Sequence, residues 1–488
     1  MKLNWEKLLC SKTLAEKEKM PSSWVDYPQD PFEQDYREIT SSLSFRRLQD
    51  KAQVYQMEKG SFVRTRLTHS LEVSTIAKQL GLMMIYNDKW NKIPALNALT
   101  PDNARAIPTV LACAGLLHDL GNPPFGHEGE HCIGHWIYEH LQQDSFAFCG
   151  KPVREMLGED LCRDLYHFDG NAQTIRILSK CRFLTAGQEA NVSYATVSTL
   201  IKYPITSAKR DRDSQDARAH KFGYYVSEQD LVNQIRTATG MALPEEPLAR
   251  NPLTYILEAA DDIAYVASDI EDGVSKNTIS IPQIVAFMEK EISKLPTEGD
   301  EMHQLQLLTV EGALSNLKSR LAECEGDESL EMEAIHKWTM YLRNWLMYVS
   351  ASSFVKNADA IMDGTYTEDL LMTSHHRFTV EILKKEMKKN VYPRLSDVHL
   401  AANTVIRGLM DQFMNAVIYW DTDQKMDRIL EAAIDIIPQQ YKTVYFKEKQ
   451  ADEGYNLYLR FRMVLDFISS MTDGDALQLY KKLMAVSI

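Results

Sequence analysis

The chain has 488 residues, 44% hydrophobic and 25% charged, a globular balance that excludes a disordered, collagenous or disulfide-knotted protein. Its 54 Lys and Arg against 68 Asp and Glu leave a net charge of −14, so the surface as a whole repels nucleic acid and anionic membranes, and an anionic ligand needs a local basic pocket. Seven cysteines from Cys10 to Cys324 form no CxxC pair, which argues against a zinc ribbon or disulfide framework and fits a reducing compartment.

The opening MKLNWEKLLCSK is interrupted by charges, and the longest uncharged apolar run, Ile107 to Leu117, is too short to span a bilayer. A soluble, cytoplasmic protein with no membrane partner is expected. Apolar residues recur at helical spacing nearly throughout and β-branched alternation is scarce, which predicts an all-α fold. Pro21, Pro28 and Pro31 punctuate an N-terminal extension over 1–34. The first informative helix carries Val73, Ile76, Ala77, Leu80 and Met84 on one face, with His69 on the same stripe. After a break at Asn87 to Pro108, a second helix, opened by Pro108 in its first turn, aligns Leu111 and Ala114 with His118, and Asp119 follows directly. Pro123, Pro124 and Gly126 mark a helix entrance at His127.

Further breaks fall at Lys209 to Gly223 and Gly240 to Pro252, and KFGYYVSE, Lys221 to Glu228, reads as a short β-hairpin arm. A third helix sets Leu257, Asp261, Tyr265 and Asp269 on one stripe at four-residue steps. From about Pro282 the pattern becomes long charged helices such as Met302 to Glu323. The expected organisation is a core over 35–280 with a helical region over 281–488 packed on it.

Burying an unpaired carboxylate is costly or forces its protonation, so Asp119 and Asp261 on inward faces call for a cation. With neutral imidazoles at His69 and His118 they would suit a divalent ion such as Mn, Fe, Mg or Co, leaving positions open for water and a substrate oxygen. Asp262 projects about 100° away from Asp261 around the helix and reads as a supporting residue. His127 to His131 also spells HExxH, the zinc-peptidase signature. The preceding prolines and glycine place His127 at a helix entrance, the extended form of that signature fails at Ile137, and the reading leaves His69, the His118–Asp119 doublet and Asp261 unexplained. His131 and His135 read as helix-face residues.

The segments RTRLTHSLEV at 64–73, HDLGNPPFGHEGE at 118–130, HFDGNAQTIRIL at 167–178 and EAADDIAYVASDIEDG at 258–273 resemble, in order and spacing, the HD-domain deoxyguanosinetriphosphate triphosphohydrolase (dGTPase) family. The resemblance extends to RRLQDKAQVY at 46–55, Lys202–Tyr203 and KFGYYVSE, covering roughly 35–275; Asn122 stands where related enzymes often carry histidine. It implies a helical HD phosphohydrolase core with His69, His118, Asp119 and Asp261 as metal ligands, for Mn or Mg first and Fe, Co or Zn as alternatives. It also implies a catalytic pair, His127 and Glu130, whose spacing lets Glu130 orient the imidazole. Substrate contacts carry over to Gln53, Arg66, Asn171, Lys202, Tyr203, Tyr265 and Asp269, with Arg46, Arg47 and Arg64 as weaker candidates.

The implied reaction is hydrolysis of dGTP at the α-phosphate to deoxyguanosine and triphosphate, and the implied assembly is a homo-oligomer, commonly a hexamer, with single-stranded DNA as a partner of some members. Two alternatives are an HD phosphohydrolase of another nucleotide or a broad dNTPase, and a non-catalytic, nucleotide-responsive assembly protein; the intact His127 and Glu130 pair disfavours the second.

Overall fold

A computed structural model describes residues 2–15, 30–54, 64–87, 94, 99–181, 191–211, 213–214, 216–324, 327–391 and 396–485. The helices that build or brace the site are α1 (Pro31–Ser41), α2 (Arg66–Tyr86), α3 (Pro101–Leu117), α4 (Gly126–Leu141), α5 (Val153–Tyr166), α6 (Gly170–Ser179), α7 (Tyr194–Leu200), α8 (Pro252–Ser275), α9 (Glu328–Lys356), α10 (Arg377–Glu386), α11 (Ser396–Tyr419), α12 (Glu453–Ser469) and α13 (Asp473–Leu483). The fold is all-α. Its one small sheet among the described residues pairs β1 (Ala147–Phe148) with β2 (Lys151–Pro152) antiparallel. All seven cysteines are free, and no described helix is long and apolar enough to cross a membrane.

Local sequence sets where the site helices begin. Thr65 and Thr68 form a reciprocal capping box at the start of α2, placing His69 in its first turns. Asn251 caps α8 ahead of Pro252, so the 24-residue helix runs unbroken through Asp261, Tyr265 and Asp269. The pairing of α2 with α3 is the most extensive helix contact, and Gly115 permits it: a Cβ there would lie 2.5 Å from Ser74 Cα. That approach brings the His69 end of α2 beside the His118 end of α3.

Two apolar clusters organise the rest. The first gathers Val73, Ala77, Leu80 and Met84 of α2 with α3, α7 and α8, and continues into α9 and α10. The second joins α4 and α5 to α11, α12 and α13. C-terminal helices therefore complete the core on both sides of the site. A buried charged network reinforces the second junction: Arg176 donates from Nε to Asp466 Oδ1 (2.7 Å) and from Nη1 to Glu228 Oε1 (3.0 Å), all three being almost wholly buried. Arg176→Met should strand these carboxylates and lower stability by roughly 3–5 kcal/mol, read as a fall in the urea midpoint; an unchanged midpoint would contradict the bracing role.

Two sequence expectations change. Pro108 lies inside α3, which starts seven residues earlier at Pro101 under a Thr100 cap. Its backbone faces Gly81 of α2, where a Cβ would come within 3.3 Å of Pro108 Cα, so tertiary packing sustains the helix past the proline. KFGYYVSE is not a hairpin: Tyr224 makes one isolated parallel bridge to Thr206, and Val226–Glu228 form a 3-10 turn leading into the helix Gln229–Ala238. Burial of Phe222, Tyr224 and Tyr225 explains it, because the aromatic side chains are drawn into the core. Pro21, Pro28, Tyr55 and much of the break after Asn87 lie outside the described residues.

Candidate metal centre and active site

Three helices deliver the four expected ligands to one place. Asp261 Oδ1 lies 3.2 Å from His69 Nε2 and 3.4 Å from His118 Nε2, while Asp119 Oδ1 is 3.6 Å from His118 Nε2. One ligand atom each from His69, His118 and Asp119 lie within 4.8 Å of one another. His118 caps α3, and its Nδ1 donates to the Gly115 carbonyl at 2.8 Å; a carbonyl can only accept, so Nε2 keeps its lone pair. That Nε2 is buried without a hydrogen-bond partner. An orphaned imidazole nitrogen facing two carboxylates is the donor set a divalent cation fits.

The electrostatics agree. Burial opposes ionisation of Asp119, but Arg66, with His118 and His69, overrides it and holds the carboxyl below its ordinary range. Burial opposes ionisation of Asp261 too, and is overcome by His118 and Lys202. Burial opposes a charge on His118, and Asp119 and Asp261 together outweigh it and raise its pKa, so the pocket favours positive charge. Arg66 Nη1 donates to Asp119 Oδ2 at 2.7 Å and Lys202 Nζ to Asp261 Oδ2 at 3.3 Å. Each carboxylate is thus braced by a cation on one oxygen and presents the other to the imidazoles.

The turn after Asp119 carries the second constellation. Asn122 Nδ2 donates to Asp119 Oδ1 at 2.6 Å. Phe125 adopts a left-handed φ of 64°, an uncommon conformation for a bulky residue, and its N–H is held by Asp473 Oδ1 at 2.9 Å. The chain then enters α4 with the His127 side chain open to solvent. Its Nδ1 bonds Glu130 Oε2 at 2.7 Å, and Glu130 Oε1 accepts from the Gly170 N–H at 2.6 Å. The Glu130 hydrogen bond and charge raise the His127 pKa. Gly170 has no room for a side chain: a Cβ would meet Asn122 Oδ1 at 2.7 Å and Glu130 Oε1 at 2.8 Å.

The remaining expected contacts are distributed around this centre. Tyr265 is half-buried one turn beyond Asp261, and Lys384 of α10 lies 5.6 Å over its ring while donating to Asp262 Oδ1 at 2.8 Å. Asp269 is buried a further turn along. Gln53 is tied through its N–H to the Arg64 carbonyl, and its Oε1 is buried without a partner. Asn171 donates from Nδ2 to Asp169 Oδ1 at 2.9 Å. Tyr203 sits between Arg250 and Lys221, 5.3 and 5.8 Å from its ring. Among the weaker candidates, Arg64 is held by Glu72, Glu271 and Asp272, and Arg47 by the Ser470 carbonyl, while Arg46 bonds the Ser42 carbonyl of its own turn.

Three bracing residues escaped the sequence reading. Asp473 holds Phe125 and also the Ala52 N–H at 3.0 Å. Buried Lys51 donates to the Asn122 and Ser469 carbonyls at 2.6 and 2.8 Å, and burial, with Arg66 and Arg47 nearby, outweighs Asp473 and lowers it to about 7. Lys384 comes from a distant helix. No local pattern marks them; the contacts span more than 70 residues in each case.

Comparison with known proteins agrees with this geometry. Residues 66–163 match the HD domain and residues 370–482 the phosphohydrolase-associated domain. A "Deoxyguanosinetriphosphate triphosphohydrolase-like protein" of Listeria innocua is 38% identical over 99% of this chain and all of its own length. A "Deoxyguanosinetriphosphate triphosphohydrolase" of Yersinia enterocolitica is 30% identical over 93% of this chain and 94% of its own. The HD fold is that of metal-dependent phosphohydrolases, and the first matched segment contains His69, His118, Asp119, His127 and Glu130. With the similarity running nearly end to end, the chain belongs to the HD-domain deoxyguanosinetriphosphate triphosphohydrolase family.

Proposed function

We propose that the protein hydrolyses dGTP to deoxyguanosine and triphosphate, with Mn or Mg held by His69, His118, Asp119 and Asp261. The convergence of these four groups around the unpartnered His118 Nε2, beside the His127–Glu130 pair, carries this reading. A divalent cation bound there would polarise a phosphoryl oxygen and make a nearby water a better nucleophile. Water oxygen forms the new bond to the α-phosphorus and yields a proton to solvent as the bond from phosphorus to the 5′ oxygen breaks. His127, whose pKa Glu130 raises, donates a proton to that leaving oxygen. Glu130, anchored by the Gly170 N–H, fixes the imidazole's orientation.

Lys202 and Arg66 supply positive charge for a triphosphate that brings about four negative charges to an acidic chain. Gln53 and Asp269 hold the sugar 3′-hydroxyl, Asn171 reaches the base, and Tyr203 joins Arg66 and Lys202 at the triphosphate. This reading divides the chain into an extension over 1–34, a catalytic core over 35–280 and a bracing region over 281–488. A cytoplasmic homo-oligomer, ring-shaped and hexameric, with single-stranded DNA as an effector, belongs to the same proposal, and light scattering with and without DNA tests that part.

Sugar discrimination tests the substrate. With Tyr265 closing the cavity beside C2′, dGTP should be hydrolysed far faster than GTP, and a 2′,3′-dideoxy substrate should lose roughly 1–3 kcal/mol because it cannot make the 3′-hydroxyl bonds to Gln53 and Asp269. Tyr265→Ala should narrow the dGTP to GTP ratio in kcat/KM chiefly by harming dGTP. Equal rates for dGTP and GTP in the wild type would move the assignment to an HD phosphohydrolase of broader nucleotide range.

A further inference from the structure

The helix that carries His127 and Glu130 has a second side with its own chemistry. Among the described residues, a second group of three potential metal ligands, Glu128, His131 and Cys132, presents one ligand atom each within 4.8 Å of one another. The i, i+3 and i+4 spacing stacks them on one face of α4. Cys132 Sγ lies 3.9 Å from Glu128 Oε1, and a residue of another helix joins them: His399 Nδ1 of α11 is 3.9 Å from Glu128 Oε2. The neighbours one turn on are otherwise engaged, since Glu139 pairs with Arg407 at 2.7 Å and with His135 at 3.1 Å. Glu130 faces the opposite way, toward His127 and Gly170.

We propose that Glu128, His131, Cys132 and His399 form a second divalent-metal site, of the zinc class, on the outer face of the helix that carries the catalytic pair. One thiolate, two imidazoles and one carboxylate make a tetrahedral set, and bonds of about 2.0–2.3 Å place such donors about 3.5 Å apart; Glu128, His131 and Cys132 stand within 4.8 Å of one another, and His399, 3.9 Å from Glu128, would move in to complete the set. The donors differ in kind from those of the HD centre. Two imidazoles and two carboxylates admit Mn or Mg, whereas a thiolate selects zinc, or cobalt as its spectroscopic substitute, and rejects magnesium. Burial, with the Glu128 charge and hydrogen bond, pushes the Cys132 thiol up to about 12 when no ion is bound.

Cobalt separates the two centres, because only this one contains sulfur. Full-length protein stripped of metal by a chelator and titrated with Co should develop the near-ultraviolet thiolate-to-cobalt charge-transfer band, saturating at one thiolate-bound ion per chain even with excess Mg present. Cys132→Ser should abolish the band. His131→Ala and His399→Ala, which alter more accessible side chains and so guard against a folding fault, should weaken Co binding at this site by roughly tenfold or more. No band in saturated wild type, a band that survives Cys132→Ser, or wild-type Co affinity in both histidine variants would each overturn the site. None of these outcomes depends on dGTP hydrolysis.

Discussion

Asp261→Ala should empty the metal centre and abolish hydrolysis together. Asp261 Oδ1 faces both imidazoles and its Oδ2 neutralises Lys202, so alanine removes a ligand and leaves a buried ammonium pointing at the site in its place. Metal affinity should fall by roughly a hundredfold or more, measured as metal content after dialysis against Mn. His69→Ala, His118→Ala and Asp119→Ala should behave alike, and the last should also strand Arg66. Asp262→Ala should keep its ion, because that carboxylate is turned to Lys384. A fully metallated, active Asp261→Ala protein would sink the ligand assignment, and metal loss in Asp262→Ala equal to that in Asp261→Ala would undo the choice within the doublet.

His127→Ala and Glu130→Ala should do the reverse: retain metal and nucleotide while turnover drops by about a hundredfold or more, the scale of lost general acid catalysis. Glu130 raises the His127 pKa, and a general acid works in its protonated form. Activity on the wild type should therefore fall as pH rises through that raised value. Glu130→Gln removes the negative charge, lowers the pKa and should move this limb of the kcat/KM profile to lower pH. Release of the ion by His127→Ala would instead reopen the HExxH reading, in which His127 is a ligand.

The proposed ligands were legible because His69, His118 and Asp261 each interrupt an apolar stripe of period 3.6, with Asp119 directly after His118, and burial of Val73, Ala77, Leu80, Leu111 and Ala114 shows that those stripes face the core. The wording of the surrounding segments then ordered them. What the sequence could not disclose lies in long-range partnership. Arg66 reads as a free cation until α2 meets Asp119, and Arg64 as another until Glu72, Glu271 and Asp272 surround it. Pro108 reads as a helix start because the close approach of Gly81 that lets the helix continue through it is a tertiary fact. Lys384 and Asp473 stand in charged helical sequence with no local mark, yet one lies against Tyr265 and the other pins the turn ahead of His127. Periodicity reports which face is inward, not which distant side chain it will meet.

Cleavage at the α-phosphate is read from the products of a single incubation. Metal-free protein supplied with Mn and dGTP should yield deoxyguanosine and intact triphosphate in equal amounts on anion-exchange chromatography, with neither product formed when the metal is withheld. Deoxyguanosine monophosphate with pyrophosphate, or the diphosphate with inorganic phosphate, would place the cut at another bond and overturn the proposed reaction.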